Sequence, residues 1–203
     1  LYTTEQDTGE RISNIVLMGI GEPLDNFDNV IRFIEIITSK DGKNISQRNI
    51  SLSTCGIVPK IYELAQLKLG ITLSISLHAT TTEKRKVTMP ITNAYSVEEL
   101  LKACRDYAKI TGRRISFEYT MIKGVNDTDD DARRLSQLLK GMLSHVNLIP
   151  LNPVDGSAYT QSDDRAIRAF QKKLTDLHVN ATIRRRLGQD ISAACGQLRN
   201  ENR

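Results

Sequence analysis

Tryptophan is absent from the 203 residues, and the aromatic residues together make up only 5%. The chain therefore has no platform of rings on which unpaired nucleic-acid bases would stack. Cysteine is scarce, with Cys55, Cys104 and Cys195 widely separated. An odd, scattered set excludes a disulfide framework of the secreted type, and no two of the three stand at metal-ligand spacing. No apolar run is long enough to span a bilayer and no signal segment opens the chain. Neither a phosphate-cradling G-x-x-x-x-G-K-[ST] loop nor the six-position dinucleotide glycine pattern occurs. A nucleophile elbow is missing too, which removes the usual serine hydrolases. Charge is nearly balanced, 28 basic against 24 acidic residues for a net +4. That excess permits an anionic partner without requiring one. These absences point to a cytoplasmic protein with no membrane association.

What is present is a strand, a polar tip and a helix, over and over. Strand-like runs occur at Ile12 to Met18, Asn49 to Ser53, Ile71 to Ile75, Arg114 to Met121 and Val146 to Pro150, with a further run at Asn180 to Arg186. Helical periodicity lies between them. One helix carries Val30, Ile34 and Ile37 on a face, and another starts at Pro59 and stops before Gly70. A third opens on a capping box at Ser96 to Glu99 and buries Val97, Leu100, Leu101, Cys104 and Ala108. Two more begin near Thr128 and Asp163. Strand–helix alternation throughout predicts an α/β fold with a parallel sheet, either doubly wound or a partial (β/α) barrel. Ligands of both architectures bind at the carboxyl ends of the strands.

Those ends are polar. The first reads Gly19-Ile20-Gly21-Glu22-Pro23, the second Ser53-Thr54-Cys55-Gly56, the third Ser76-Leu77-His78, and the fifth is followed by Asn152-Pro153. A carboxylate, hydroxyls, an imidazole and an amide suit a small zwitterion carrying a sugar. Glu22 can accept from an ammonium group, Ser53 and Asn152 can bond hydroxyls, and glycine lets the backbone come close. Each piece also has an ordinary reading: Gly-Glu-Pro is a common turn, and a lone His78 can be a structural histidine. Near the end of the chain Cys195 sits between Ala194 and Gly196, after Arg184, Arg185 and Arg186. Small neighbours and nearby cations favour an accessible thiolate over a core thiol.

The motifs "MGIGEPLDN", "LSTCGIVP", "SISLHA", "EYTMIKGVND", "NLIPLNP" and "GQDISAACGQL" follow one another in this order. Together they resemble the RlmN-type methyltransferases of the radical S-adenosylmethionine superfamily, which modify carbon 2 of an adenine in large-subunit ribosomal RNA and in transfer RNA. The resemblance implies a partial (β/α)6 barrel over residues 12–187, with the first strand and cluster loop absent, a linker remnant at 1–11, and a tail at 188–203. It implies cofactor contacts at Gly21, Glu22, Ser53, Ser76, Leu77, His78 and Asn152, and a methyl-carrying Cys195. The implied cofactors are S-adenosylmethionine and a four-iron four-sulfur cluster, whose cysteines are expected before Leu1; no metal ligand is assigned within the chain itself. An electron-donating reductase is the further implied partner. The chain by itself is then expected to be inactive. Arg184, Arg185, Arg186, Lys84 and Arg85 are candidate contacts to RNA phosphates, with a solvated surface as the plain alternative. Three rivals stand beside this reading: a Cfr-type methyltransferase acting on carbon 8 of the same adenine, a silent nucleotide- or RNA-binding domain, and an unrelated barrel lyase, which has only Lys123 to offer as a tip lysine.

Overall fold

The computed structural model describes residues 1–19, 21–152 and 158–185. Six strands form one parallel sheet among them, in sequential order: β1 (Ile15–Leu17), β2 (Ile50–Thr54), β3 (Thr72–Ser76), β4 (Ile115–Met121), β5 (Ser144–Pro150) and β6 (Ala181–Ile183). All six predicted strand runs are present, and among the described residues the sheet is open. Strands added one after another in one direction, each through a crossover of the same hand, place every connecting helix on the same face. The helices are α1 (Tyr2–Thr8), α2 (Phe27–Thr38), α3 (Val58–Gln66), α4 (Thr82–Thr88), α5 (Val97–Thr111), α6 (Asp129–Leu139) and α7 (Asp164–Asp176).

The helix boundaries follow local chemistry. Pro59 fits the first turn of α3, where its missing N–H costs nothing. Ser96 and Glu99 form the reciprocal capping box of α5, and Gly112 closes that helix at φ 64°. Thr128 and Asp131 build a second box at α6. Two segments depart from the sequence reading. The polar opening stretch, read as linker, contains α1, whose Glu5 accepts from the Ile12 N–H and pairs with Lys43. Strand β1 is three residues rather than seven, because among the described residues it pairs with β2 alone and its Val16 is 63% exposed.

The two faces of the sheet differ in chemistry. Leu52, Leu73, Ile75, Ile115, Phe117, Tyr119, Val146 and Leu148 point toward the helices and are fully buried. The opposite face is polar. Register aligns Ser53, Ser74, Ser116 and His145 in one row, and Ser76, Glu118, Asn147 and Thr182 in the next row toward the tips. An apolar face packs under helices while the polar one is left for water or ligand.

The contrast is testable by chemical denaturation. Phe117→Ala should cost ~3–5 kcal/mol, whereas its chain neighbour on the polar face, Ser116→Ala, should cost about 1 kcal/mol or less. Equal losses would contradict the two-faced sheet.

Candidate functional site

At the carboxyl end of the sheet three polar side chains staple consecutive tips. The first is Glu22, which follows β1. Its Oε1 accepts from the Leu24 N–H at 3.0 Å and caps the short 3-10 turn at Pro23–Asn26. Its Oε2 accepts from the Cys55 N–H, just past β2, at 2.7 Å. The carboxylate predicted to grip a ligand ammonium thus also joins the first tip to the second. With the Cys55 thiol as a third donor, one of the four lone-pair sites of the carboxylate is left for a ligand. Gly21 precedes it at φ 92°, a left-handed conformation that a side chain would strain. At the second tip Gly56 stands at φ 104°, and a Cβ there would come within 2.8 Å of the Leu100 side chain.

The second staple is Arg85, on α4. It is fully buried, and among the described residues it has no carboxylate partner. Its Nη2 donates to the Cys55 carbonyl at 2.6 Å and the Ser76 carbonyl at 2.8 Å, and its Nε donates to the Leu77 carbonyl at 3.1 Å. Nη1 donates to the Thr92 hydroxyl at 2.9 Å. The planar fork reaches carbonyls of two strand tips at once, which an ammonium on a flexible stem could not do. Burial lowers the guanidinium to about 10, so it stays charged at neutral pH. Each carbonyl left bare would cost about 1–3 kcal/mol.

This placement corrects the reading of Arg85 as an RNA contact, since no phosphate reaches a fully buried side chain. Three successive residues on a helix point about 100° apart, so a helix that packs against a sheet must turn one of Lys84, Arg85 and Lys86 inward. That geometric signal was available in the sequence. Lys84 is partly engaged as well, its Nζ lying 2.7 Å from Oδ1 of the buried Asp131. Arg184 and Arg185 are exposed just beyond β6.

The third staple is Asn126, which bonds the carbonyls of His78 and Thr120 and the Ile122 N–H. Ser76 ends β3 and Leu77 and His78 follow it, with the Leu77 side chain fully buried in the core. The N–H groups of Leu77 and His78 both donate to the Glu118 carbonyl, at 3.1 and 3.2 Å. His78 has φ 57°, and its Nδ1 accepts from the Thr120 N–H at 3.1 Å. Burial, then the nearby Arg85 charge, pushes this imidazole down to about 4, so it is neutral at physiological pH. Ser53 and Ser76 are half-buried on the polar face, and Asn152 is half-buried after β5. Cys195 and Arg186 lie outside the described residues.

One group in the site escaped the sequence reading. Glu118 is 7% exposed, stands in register with Ser76, and accepts from the Asn147 amide at 2.8 Å and the Ser116 hydroxyl at 3.3 Å. Burial raises its carboxyl above the ordinary value. A carboxylate at an inward position of a buried strand was the available signal, hidden by the apolar run around it.

A polar set of this kind fits S-adenosylmethionine in chemistry: an acceptor for the ammonium, hydroxyls and an amide for the sugar and carboxylate, and a neutral ring N–H. An iron–sulfur cluster is not accommodated by the described residues. They contain no group of three Cys, His, Asp or Glu able to hold a metal ion. The two described thiols are poor ligands, since burial raises both Cys55, which also donates to Glu22, and Cys104 to about 12. Native protein treated with a thiol reagent at pH 8 should therefore carry no label on either, as read by mass spectrometry of its peptides. Because both folded-state values lie above the unfolded one, their contribution to stability is complete below about pH 9 and is lost as pH climbs toward 12. Rapid labelling of Cys55 at pH 8 would contradict this.

Comparison with known proteins agrees with the geometry. Residues 4–135 match the model of the Radical SAM superfamily. The chain is 56% identical over 201 residues to a "Probable dual-specificity RNA methyltransferase RlmN" of Lachnospira eligens, covering 99% of this chain and 57% of that protein. A protein of the same name from Clostridioides difficile is 55% identical, over 96% of this chain and 57% of its own length. The chain thus spans little more than half the length of these relatives. The crystal structure of a radical SAM methyltransferase from Sphaerobacter thermophilus superposes with a TM-score of 0.91 at 42% identity, covering 96% of this chain and 57% of that one. A domain of a pyruvate-formate lyase-activating enzyme from Bacteroides vulgatus shares the fold alone, with a TM-score of 0.67 at 17% identity. With its open parallel sheet, its polar strand tips and this match over most of its length, the chain belongs to the Radical SAM superfamily.

Proposed function

We propose that the intact protein is a radical S-adenosylmethionine methyltransferase that modifies carbon 2 of an adenine in large-subunit ribosomal RNA and in transfer RNA. The carrying observation is that four of the RlmN-type motifs, from "MGIGEPLDN" to "EYTMIKGVND", fall on neighbouring strand tips that Glu22, Arg85 and Asn126 hold together. Proteins more than half identical to this chain over the aligned residues bear the name "Probable dual-specificity RNA methyltransferase RlmN".

Carbon 2 of adenine lies between two ring nitrogens and is not nucleophilic, so direct displacement on a sulfonium methyl does not reach it. S-adenosylmethionine, when bound, supplies both the methyl group and the radical chemistry that such a carbon requires. The chain's own residues bind and orient. Gly21 lets the first tip approach the ligand's amino-acid end, and Glu22 accepts from its ammonium. Ser53, Ser76 and Asn152 offer hydrogen bonds to hydroxyls and carboxylate. Leu77 and His78 continue the third tip, and His78 contributes a neutral N–H. Cys195 is assigned the methyl-carrying thiol, which must be a thiolate to attack. The cluster's cysteines are to be sought in the part of the relatives that this chain does not span, so the chain alone should not cleave the cofactor. A reductase supplies electrons to the intact enzyme, in the cytoplasm. Among the described residues no helix is long and apolar enough to cross a membrane. Arg184 and Arg185, exposed beyond β6, remain the described candidates for phosphate contact.

The test is anaerobic incubation of the intact protein with S-adenosylmethionine, a reductant and unmodified RNA, followed by mass spectrometry of the nucleosides. The expected product is 2-methyladenosine, lost in Cys195→Ala. A methyl at carbon 8 would move the protein to the Cfr type, and RNA binding without methylation would make it a silent domain.

A further inference from the structure

Asn126 belongs to the "EYTMIKGVND" segment, which runs from β4 into the turn after it. It is 1% exposed, and both polar atoms of its side chain are engaged. Nδ2 donates to the carbonyls of His78 and Thr120, both at 2.7 Å, and Oδ1 accepts from the Ile122 N–H at 2.8 Å. The residue is itself anchored, since the buried Tyr119 hydroxyl donates to its backbone carbonyl at 2.8 Å. One amide therefore ties the tip of β3 to the tip of β4.

His78 is the residue held. A non-glycine residue at φ 57° keeps that conformation only where its surroundings impose it. Arg85 takes the carbonyls of Ser76 and Leu77, and Asn126 takes that of His78, so the whole segment is fixed from behind. The imidazole then returns to the same peptide segment, its Nδ1 accepting the N–H of Thr120 while Asn126 takes the Thr120 carbonyl. With Nδ1 an acceptor, a neutral ring must carry its proton on Nε2. Among the described residues Nε2 has no hydrogen-bond partner. The charged or titratable groups around this segment are Arg85 behind it, Glu118 on β4, and Glu22 and Cys55 at the first two tips.

We propose that Asn126 is a positioning residue acting through His78, fixing the imidazole as a single neutral tautomer whose Nε2–H is offered to a hydrogen-bond acceptor of the ligand at the strand tips. That the ligand is S-adenosylmethionine rests on the function proposed above. The tautomer and its dependence on Asn126 do not. A neutral N–H reads an acceptor without adding charge, whereas an imidazolium would attract any anion.

The experiment uses intact protein with 15N-labelled histidine. Long-range 1H–15N spectra give the His78 tautomer and its titration, and calorimetry gives the dissociation constant for S-adenosylmethionine. Wild type should show Nε2–H alone, titrating near 4. Asn126→Asp keeps the shape but faces two carbonyls with acceptors. Asn126→Ser, a milder change, serves if that variant does not fold. Either should mix the tautomers, move the titration toward 6.5, and weaken binding about tenfold. In a double variant with His78→Asn, which tolerates the left-handed backbone, the second substitution should add little. A wild-type His78 protonated on Nδ1 would overturn the proposal whatever the variants do. So would an Asn126 variant that binds more weakly with an unchanged His78 spectrum, or losses that multiply in the double variant. Wild type with the expected tautomer but no affinity for S-adenosylmethionine would count against the proposed function and leave the tautomer inference standing.

Discussion

The buried Arg85 guanidinium fixes where the strand tips stand. Taking a cation out of water is expensive unless its N–H groups are satisfied. Here the satisfaction comes from backbone carbonyls of β2's tip and of Ser76 and Leu77, with no carboxylate involved among the described residues. The cost of burial and the order of the tips are thereby coupled: the cation is tolerated only while those carbonyls converge. Glu22 extends the same arrangement to β1 through the Cys55 N–H, and Asn126 extends it to β4 through His78. Four tips become one unit through three side chains, each from a different connection after its strand.

This unit gives the polar sheet face its use. Strands laid down in sequence put the helices on one side, and their apolar residues bury there. The other side carries rows of serine, threonine, asparagine and histidine around Glu118. A ligand lying across the tips meets preset donors and acceptors, so little ordering remains to be done on binding. The neutral state of His78 and the protonated state of Cys55 belong to the same design, since each follows from burial beside Arg85 or Glu22. Thiolate chemistry is not available from the two described cysteines at neutral pH.

Most of the architecture was legible in the sequence because it is local. Capping at Ser96, Pro59 in the first turn of α3 and the apolar stripes of α5 and α7 each follow from short-range chemistry, and strand–helix alternation then fixes a parallel sheet. Strand β1 was overextended since apolar content alone does not reveal that a strand has a single neighbour among the described residues. Polar residues at the tips marked the site as well. Their long-range bonds did not show: Arg85 sits in a basic run that looks solvated, and only packing of α4 turns it inward. Asn126 reads as a turn residue until its three partners are seen, and Glu118 is masked by hydrophobic neighbours.

The central claim, that Arg85 holds the tips as one unit, is tested most directly by amide hydrogen exchange in wild type and Arg85→Lys, which keeps the charge and loses the fork. Wild type should protect the Cys55, Leu77 and His78 amides as well as it protects the interior of α5. In the variant those three should exchange through local opening while α5 stays protected. Unchanged protection of the three amides in a folded Arg85→Lys protein would contradict the account.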